Sequence, residues 1–413
     1  MSMKTKQFTQ FQALLARVME QSPFYQRKFQ AAGFDPAGVQ TIGDIASVPF
    51  TTKEELREAY PLDVQAVPDE DVVRIHSSSG TTGKPIIIPY TKGDVDVWAD
   101  MMCRCMQVAG LTARDRVQIT PGYGLWTAGI GFQAGAEKLG AMAIPMGPGN
   151  TEKQLQMMID LQATALTATS SYALLLAEEI HKRGLKDQIK LKKAILGSER
   201  WGEKMRTRIS TELGVDLYDI YGLTEIYGPG ISISCDCDNG LHYWDDYLYF
   251  EIIDPLTGEN VADGEYGELV ITTLTKEGAP LIRYRTRDIT RLLPGECACG
   301  LSYPRHDLIL GRTDDMVKVK GVNIYPGQIE DVLKQIAGVS SEYQVVIGRE
   351  EGKDSMLLRF ERQPDYDGVQ LEKQIKRYFK TKVGLSVDTQ ALPIGALPRS
   401  EKKTARVIDN RFS

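Results

Sequence analysis

The chain has 413 residues, of which 42% are hydrophobic and 25% are charged, a composition typical of a folded protein. Its 49 Lys and Arg residues are outnumbered by 55 Asp and Glu residues, and the net charge of −6 argues against nucleic acid as a partner. No apolar run reaches the roughly 18 residues that cross a membrane, and the N-terminus lacks a signal-peptide pattern, so we expect a cytoplasmic protein without a membrane partner.

The first two-thirds of the chain predicts helices followed by a parallel α/β arrangement. An amphipathic helix at the start is indicated by apolar residues at helical spacing, which are Phe8, Phe11, Leu15, Val18 and Met19. From about residue 70 to 275, strand-like runs alternate with helical patterns, which favours parallel sheet with crossover helices. The predicted strands are 117–120, 141–146, 165–170 and 192–197, and the predicted helices are 129–140, 151–162, 171–184 and 204–213.

The pattern changes twice in the remainder of the chain. Segments 247–254 and 267–275 are joined by turn residues and predict antiparallel β-structure. From about residue 315, strands at 315–326, 343–350 and 355–362 and helices at 329–338 and 369–384 predict a compact α+β unit. We therefore predict an α/β protein. Its large N-terminal domain, residues 1–312, has mixed parallel sheets, flanking helices and a β-rich subdomain, and its small α+β domain covers 313–413.

A loop rich in glycine and hydroxyl side chains, HSSSGTTGKP at 76–85, is the strongest local signal. Closely spaced glycines let backbone N–H groups approach an anion, and hydroxyls add further donors. It differs from a Walker A loop, because its glycines are three residues apart and its lysine precedes proline. The alternative is an ordinary tight turn. The phosphate-binding residues predicted here are Ser78, Ser79, Gly80, Thr81, Thr82, Gly83 and Lys84.

At this loop the chain resembles the adenylate-forming superfamily, and within it most closely the phenylacetate–CoA ligase branch. The resemblance continues in order through GYGL at 122–125, YDIYGLTE at 218–225, GLHYWDD at 240–246, LIRYRTRD at 281–288, GRTDDM at 311–316, KGVNIYP at 320–326 and LPRSEKK at 397–403. It implies a two-step ligase that uses ATP with Mg²⁺ to make an acyl-adenylate and then passes the acyl group to CoA. It also implies a mobile small domain.

The resemblance assigns roles around the nucleotide. It implies that Glu225 serves Mg²⁺, that Asp288 accepts hydrogen bonds from the ribose hydroxyls, and that Arg312 contacts the nucleotide beside a hinge at Asp314. Ser198 and Glu199 correspond to the adenine-facing wall, with serine where the family usually has alanine. The remaining nucleotide-binding residues it implies are Asp219, Tyr221, Gly222 and Thr224.

The resemblance also places the acid and CoA sites. Tyr123, Gly124 and Trp126 correspond to the lining of the acid pocket, where aromatic rings among glycines suit a small aromatic carboxylic acid. Trp126 stands where the family more often has phenylalanine, and the alternative is that it is a core residue. Gly321, Val322 and Asn323 would line the CoA tunnel.

A lysine near the C-terminus completes the implied catalytic set. Lys403 lies in a segment similar to the family's Arg-Ser-x-Gly-Lys loop, where the lysine bridges the carboxylate and the α-phosphate. Lys402 stands in the place of the usual glycine, so it remains an alternative for the same role.

Six cysteines form three Cys-x-Cys pairs. Cys103 and Cys105 lie in a predicted helix and are expected in the core. The resemblance favours a structural Zn²⁺ held by Cys235, His242, Cys297 and Cys299, with Cys237 spare. The alternative is a set of reduced, unliganded thiols.

Two other functions remain open on the sequence alone. An adenylating enzyme could deliver the acyl or adenylyl group to a carrier protein or an amine instead of CoA. A non-catalytic protein could sense ATP or CoA, although the presence of Lys403, Glu225 and Asp288 argues against it. The oligomeric state, a homodimer included, is also open.

Overall fold

A computed structural model describes residues 2–78, 84–199, 201–314, 317–319, 322–324, 326–350, 353–399 and 406–411. The N-terminal segment contains α1 (Met3–Gln21), α2 (Pro23–Ala32) and α3 (Lys53–Glu58), with 3₁₀ turns at Pro36–Gly38 and Ile42–Ser47. Phe11, Leu15 and Val18 are buried, which confirms the amphipathic first helix, whereas Met19 is exposed and was wrongly assigned to its buried face. Among the residues described, no helix combines the length and apolar composition needed to cross a membrane.

After these helices, the described chain forms fifteen strands and five helices up to residue 312. In order, they are β1 (Val72–Ser77), β2 (Ile87–Thr91), α4 (Lys92–Val108), β3 (Arg116–Ile119), α5 (Ala128–Leu139), β4 (Met142–Pro145), α6 (Thr151–Asp160), β5 (Ala165–Thr169), α7 (Ser170–Lys182), β6 (Lys193–Gly197), α8 (Glu203–Leu213), β7 (Asp216–Leu223), β8 (Gly228–Ser234), β9 (Leu241–Tyr243), β10 (Leu248–Ile253), β11 (Gly267–Thr273), β12 (Tyr284–Thr290), β13 (Leu292–Leu293), β14 (Arg305–His306) and β15 (Gly311–Arg312).

The largest sheet in the described residues has nine strands in the order β13-β14-β9-β8-β7-β6-β5-β3-β4. Strands β4, β3, β5, β6 and β7 are parallel, which confirms the predicted alternation of strands and helices. From β8 onward the pairing is antiparallel. Strands β1 and β2 form a separate antiparallel hairpin, so the parallel prediction was wrong at its N-terminal end, where only a short loop connects them.

The predicted β-rich subdomain is a four-stranded antiparallel sheet in the order β10-β11-β12-β15. Its strand β12 ends at Thr290 and pairs with β15, so that Asp288 lies opposite Arg312. This pairing positions two predicted site residues side by side.

The C-terminal segment contains β16 (Val317–Val319), β17 (Val322–Ile324), α9 (Pro326–Lys334), β18 (Val339–Glu350), β19 (Lys353–Arg362), α10 (Gly368–Lys382), β20 (Asp388–Pro393) and β21 (Val407–Asp409). Segment 315–326, predicted as one strand, contributes two short strands of an antiparallel hairpin. Strands β20, β19, β18 and β21 form a sheet covered by the two helices. Their apolar side chains form a cluster of their own, which includes Phe360, Ile375 and Phe379.

Candidate active site

The neck of the glycine-rich loop is closed by hydrogen bonds between β1 and the start of β2. The backbone N–H of Ser78 donates to the Ile86 carbonyl at 3.0 Å, and the Ser78 hydroxyl accepts from the Ile86 N–H at 2.9 Å. Lys84 is exposed, with its ammonium 5.7 Å from the centre of the Tyr60 ring. Residues Ser79, Gly80, Thr81, Thr82 and Gly83 lie outside the described residues, so the phosphate cradle stays a prediction.

Strand β7 carries the next group of predicted residues to the end of the parallel sheet. A bulge interrupts its pairing with β8 between Tyr221 and Gly222, and a Cβ on Gly222 would collide with the carbonyl oxygen of Gly228. Glycine is therefore required there. Just beyond the strand, the buried Glu225 carboxylate lies 3.3 Å from the Lys53 ammonium, an ion pair that no sequence motif indicated.

The Asp288 carboxylate is held between two other predicted residues. The Tyr221 hydroxyl donates to its Oδ2 at 2.6 Å, and the Arg312 guanidinium donates to its Oδ1 at 3.1 Å. Burial raises the pKa of Asp288 to about 6, while the Arg312 charge acts in the opposite direction. The structure thus brings together three of the residues assigned to the nucleotide.

The predicted hinge residue is part of an ion-pair chain. Asp314 accepts from Arg312 Nε at 2.8 Å and from Arg287 Nη1 at 3.1 Å. Arg287 also donates to Glu54 at 2.6 Å, and its backbone adopts a left-handed φ of 68°. A strained non-glycine backbone of this kind persists only where its surroundings hold it in place. Asp314 is therefore tied to the N-terminal helices as well as to Arg312.

The predicted adenine wall lies at the end of β6. Ser198 has a left-handed φ of 70°, and Glu199 accepts a hydrogen bond from the Ser171 hydroxyl. On the neighbouring strand, burial raises the pKa of Asp219 to about 6, with the Arg206 guanidinium 3.9 Å away. Both segments thus end at the same edge of the parallel sheet, where ligands of open α/β sheets bind.

The predicted acid-pocket segment precedes α5. Tyr123 is half-buried, its ring packs where a Cβ on Gly129 would stand, and burial raises its pKa to about 12. Trp126 is 55% exposed, so the alternative that it is a core residue is wrong. The Leu125 carbonyl accepts from the Ser77 N–H at 2.8 Å and lies 3.2 Å from His76 Nδ1. These bonds join the acid-pocket segment to the strand that leads into the glycine-rich loop.

The structure leaves part of the C-terminal set undescribed. Val322 and Asn323 lie on β17, paired with Val319 and Lys318 of β16. Gly321, Lys402 and Lys403 lie outside the described residues, and the roles given to them remain predictions.

The four predicted zinc ligands come together at the antiparallel edge of the nine-stranded sheet. Their ligand atoms all lie within 4.8 Å of one another. Cys235 Sγ is 3.7 Å from Cys297 Sγ, and Cys299 Sγ is 3.3 Å from His242 Nε2. Two thiolates on one tetrahedral zinc lie about 3.8 Å apart, given Zn–S distances of about 2.3 Å. The cluster therefore has the dimensions of a zinc site.

The surroundings of this cluster also suit a metal. His242 Nδ1 is 2.8 Å from the Tyr303 carbonyl, which fixes the ring so that Nε2 faces the thiols. Cys237 is exposed and outside the set, as predicted, and Cys103 and Cys105 are buried in α4, also as predicted.

Four residues near the site were given no role from the sequence. They are Lys53, His76, Arg287 and the buried Lys276, whose ammonium donates to the Ile226 carbonyl beside Glu225. The Lys276 ammonium also lies 4.0 Å and 4.1 Å from the centres of the Tyr90 and Tyr227 rings. Each depends on partners distant in the chain.

The raised pKa of Asp288 predicts a pH effect on nucleotide binding. Because the pKa is about 6, the carboxylate is ionised above that value and gains a proton below it. A neutral carboxyl is a weaker acceptor for ribose hydroxyls, so we expect KM for ATP to rise as the pH falls through about 6. Asp288→Asn should raise KM above pH 6, where the wild-type carboxylate is ionised, and remove most of this dependence. The control is Asp245→Asn, which changes a partly buried carboxyl beside Asp246. An unchanged pH profile in Asp288→Asn would contradict the assignment.

Two comparisons with known proteins, one with family models and one with individual relatives, find this chain similar to the same class of enzymes. The model described as AMP-binding enzyme matches residues 13–275, and the one described as AMP-binding enzyme C-terminal domain matches residues 321–411. Phenylacetate-coenzyme A ligase of Escherichia coli (strain K12) is 42% identical over 406 residues, covering 96% of this chain and 92% of that protein. The ligase of the same name from Thermus thermophilus is 42% identical over 419 residues, covering 96% and 94%.

Solved structures of 2-hydroxyisobutyryl-CoA ligase share the fold. In its postadenylation state with 2-HIB-AMP, that enzyme matches with a TM-score of 0.89 at 29% identity, covering 98% of this chain and 89% of its own. In its thioesterification state with 2-HIB-AMP and CoA, it matches with a TM-score of 0.72 at 29% identity, covering 99% and 90%. The arrangement of the present chain is thus more similar to the postadenylation structure.

Proposed function

This chain belongs to the AMP-binding enzyme family and, within it, to the phenylacetate–CoA ligases, and on that premise we propose that its substrate is a small aromatic carboxylic acid. As a member it is an AMP-forming acid–CoA ligase that uses ATP and CoA. The observation that carries the activity is the Tyr221–Asp288–Arg312 arrangement at the end of the parallel sheet, and the aromatic side chains of segment 122–126 support the choice of acid.

The proposed reaction has two steps. The substrate carboxylate attacks the α-phosphorus of ATP, so that an acyl–phosphate bond forms and pyrophosphate leaves. The CoA thiol then attacks the acyl carbon, the thioester forms, and AMP leaves with the bonding electron pair. A carboxylate lacks a good leaving group, and adenylation supplies one. The protein contributes mainly by positioning and charge neutralisation.

Asp288, Glu225 and Lys53 would lie against the nucleotide and its Mg²⁺. Asp288 would accept hydrogen bonds from the ribose hydroxyls, with Tyr221 and Arg312 orienting its carboxylate. Glu225 would hold the Mg²⁺ that accompanies ATP, since hard cations take carboxylate oxygens and shared phosphates. The neighbouring Lys53 ammonium adds positive charge where phosphate charge would lie. When bound, Mg²⁺ would neutralise phosphate charge.

The acid would lie against the segment that contains Tyr123, Gly124 and Trp126. Tyr123 presents a half-buried ring and Trp126 an exposed one, and both can stack on a flat substrate. The phenylacetate specificity in the names of the two closely similar ligases supports an aromatic acid. The hairpin of β16 and β17, which contains Val322 and Asn323, would line the CoA tunnel together with Gly321.

The remaining assignments are also part of the proposal. Residues 1–312 would form the adenylate-forming domain and 313–413 the lid domain, and the separate apolar cluster of the C-terminal segment supports this division. Asp314 would be the hinge between them. Cys235, His242, Cys297 and Cys299 would hold a structural zinc. The reaction would take place in the cytoplasm.

A panel of acids tests the proposed substrate. We expect ATP-dependent pyrophosphate release to be greatest with arylacetic or benzoic acids and weak with long fatty acids. Each acid is measured with and without CoA. Thioester formation in the presence of CoA separates the proposal from transfer to a carrier protein or an amine. A preference for acids of about twelve carbons or more would refute the aromatic assignment, because extended chains do not stack on rings.

A further inference from the structure

A set of polar contacts joins α7 and α8 of the large part of the chain to the C-terminal segment. Arg399 is the last described residue before segment 400–405, which contains Lys402 and Lys403 in the sequence. Its guanidinium donates to both carboxylate oxygens of Glu178 on α7, at 3.0–3.2 Å. This fork-to-fork pairing gives geometric specificity as well as attraction.

Arg399 and Glu178 each make further ion pairs. The other side of the Arg399 guanidinium donates to the buried Glu361 of β19, at 2.8 Å and 3.0 Å. Glu178 also accepts from Arg208 of α8 at 2.7 Å, and Arg208 is itself paired with Glu212 at 2.6 Å. The side chains of Arg399 and Glu178 are only 11% and 22% exposed. The pair is therefore positioned and partly shielded from water, which makes it stronger than a surface ion pair.

A second contact lies nearby on α8. The Lys204 ammonium donates to the carbonyls of Ile336 and Val339, both at 2.7 Å, in the turn between α9 and β18. Arg406, the first described residue after segment 400–405, stacks its guanidinium on the Tyr343 ring at 4.8 Å. Its Nη2 lies 4.0 Å from the Met205 sulfur of α8. The two described residues that flank segment 400–405 thus lie against α7 and α8.

We propose that Glu178 is a positioning residue for the adenylation half-reaction, acting through Arg399 on the C-terminal segment. This inference rests on the proposed function. The present arrangement is the one more similar to the postadenylation structure of the solved ligase. An interaction made in one arrangement and absent from another favours the first by its own free energy. On this proposal the contacts of Glu178 and Lys204 are made in the adenylating arrangement and lost in the thioester-forming one, so that they favour adenylation.

The variant Glu178→Gln tests this directly. It keeps the shape of the side chain and removes its charge, and Arg208 retains Glu212 as a partner. Losing one charge-assisted pair is expected to lower the rate of ATP-dependent acyl-adenylate formation about tenfold. Thioester formation from pre-made acyl-adenylate and CoA should stay at the wild-type rate or rise.

The matched control is Glu179→Gln, one residue along the same helix. Within the described structure, the Glu179 carboxylate pairs only with Lys182 at 3.3 Å and with Arg183 at 2.9 Å, both at the C-terminal end of α7. We expect both of its half-reactions to be unchanged. If Glu178→Gln loses both half-reactions equally, or neither, the positioning role is wrong.

Two further measurements keep the test decisive if Glu178→Gln folds poorly. Lys204→Met removes the second contact and should produce the same selective loss in adenylation. Arg399→Gln combined with Glu178→Gln should be no worse than Arg399→Gln alone, because the two side chains act as one pair. Additive losses would overturn the proposal. The wild-type protein is assayed in parallel for both half-reactions and tests the proposed function itself. A failure of the proposed function is therefore distinguished from a failure of the positioning role.

Discussion

Lys403→Ala is expected to lower ATP-dependent pyrophosphate release by about 10²–10³-fold while leaving thioester formation from pre-made acyl-adenylate nearly intact. In the adenylating arrangement, an ammonium group against the carboxylate and the α-phosphate stabilises the negative charge that accumulates there. If the small domain rotates about Asp314 before the thiol arrives, the same lysine is absent from the second step. The measurement is pyrophosphate release with acid and ATP, followed by CoA-dependent release of AMP from synthetic acyl-adenylate.

Lys402→Ala is the matched control for this prediction. Lys402 stands where the family usually has glycine, so its removal is expected to have little effect on either step. An equal loss of both half-reactions in Lys403→Ala would indicate misfolding or a mechanism without domain rotation. A severe adenylation defect in Lys402→Ala alone would show that Lys402 is the reacting residue.

The second large effect concerns the cysteine and histidine cluster. Untagged protein is expected to contain about one zinc per chain, held by four ligands. Cys297→Ser should abolish zinc binding and lower the free energy of unfolding by about 4 kcal/mol, because loss of a structural metal is among the most damaging single changes. Elemental analysis and chemical denaturation measure the two effects separately.

Cys237→Ser provides the control for the metal prediction, because Cys237 is exposed and lies outside the four-ligand set. It should keep both zinc and stability. Protein that contains no zinc and whose three cluster thiols and one imidazole titrate freely would contradict the site. Loss of zinc from Cys237→Ser would show that Cys237 is a ligand in place of one of the four.

The cysteine and histidine cluster is also connected through the sheet to the residues proposed to bind the nucleotide. His242 lies on β9, and Arg305 of the neighbouring β14 donates to the Asn239 carbonyl at 2.9 Å. The adjacent His306 packs edge-on against Tyr221, with ring centres 5.6 Å apart. Tyr221 in turn orients Asp288. We therefore expect the zinc-depleted protein to bind ATP less tightly even before it unfolds.

Hydrophobic periodicity and local motifs in the sequence determined most of the elements. The alternation between residues 117 and 213 predicted the strands and helices of the parallel part, because each element there is specified by its own apolar pattern. The antiparallel strands β10 and β11 were predicted for the same reason. The family resemblance carried by the motifs singled out Asp288, Glu225 and the set of Cys235, His242, Cys297 and Cys299, and the roles given to them stay predictions.

Tertiary structure alone decided which of these residues meet and what else meets them. Asp288 is paired with Arg312 by the register of β12 and β15. Glu225 is paired with Lys53, which lies far earlier in the chain. The separate β1–β2 hairpin and the exposure of Trp126 were also set by packing. A contact between distant residues depends on register and on the twist of several elements at once, and no local pattern encodes it. For that reason the contacts of Lys53, of His76 and of the Glu178–Arg399 pair are seen only in the folded chain.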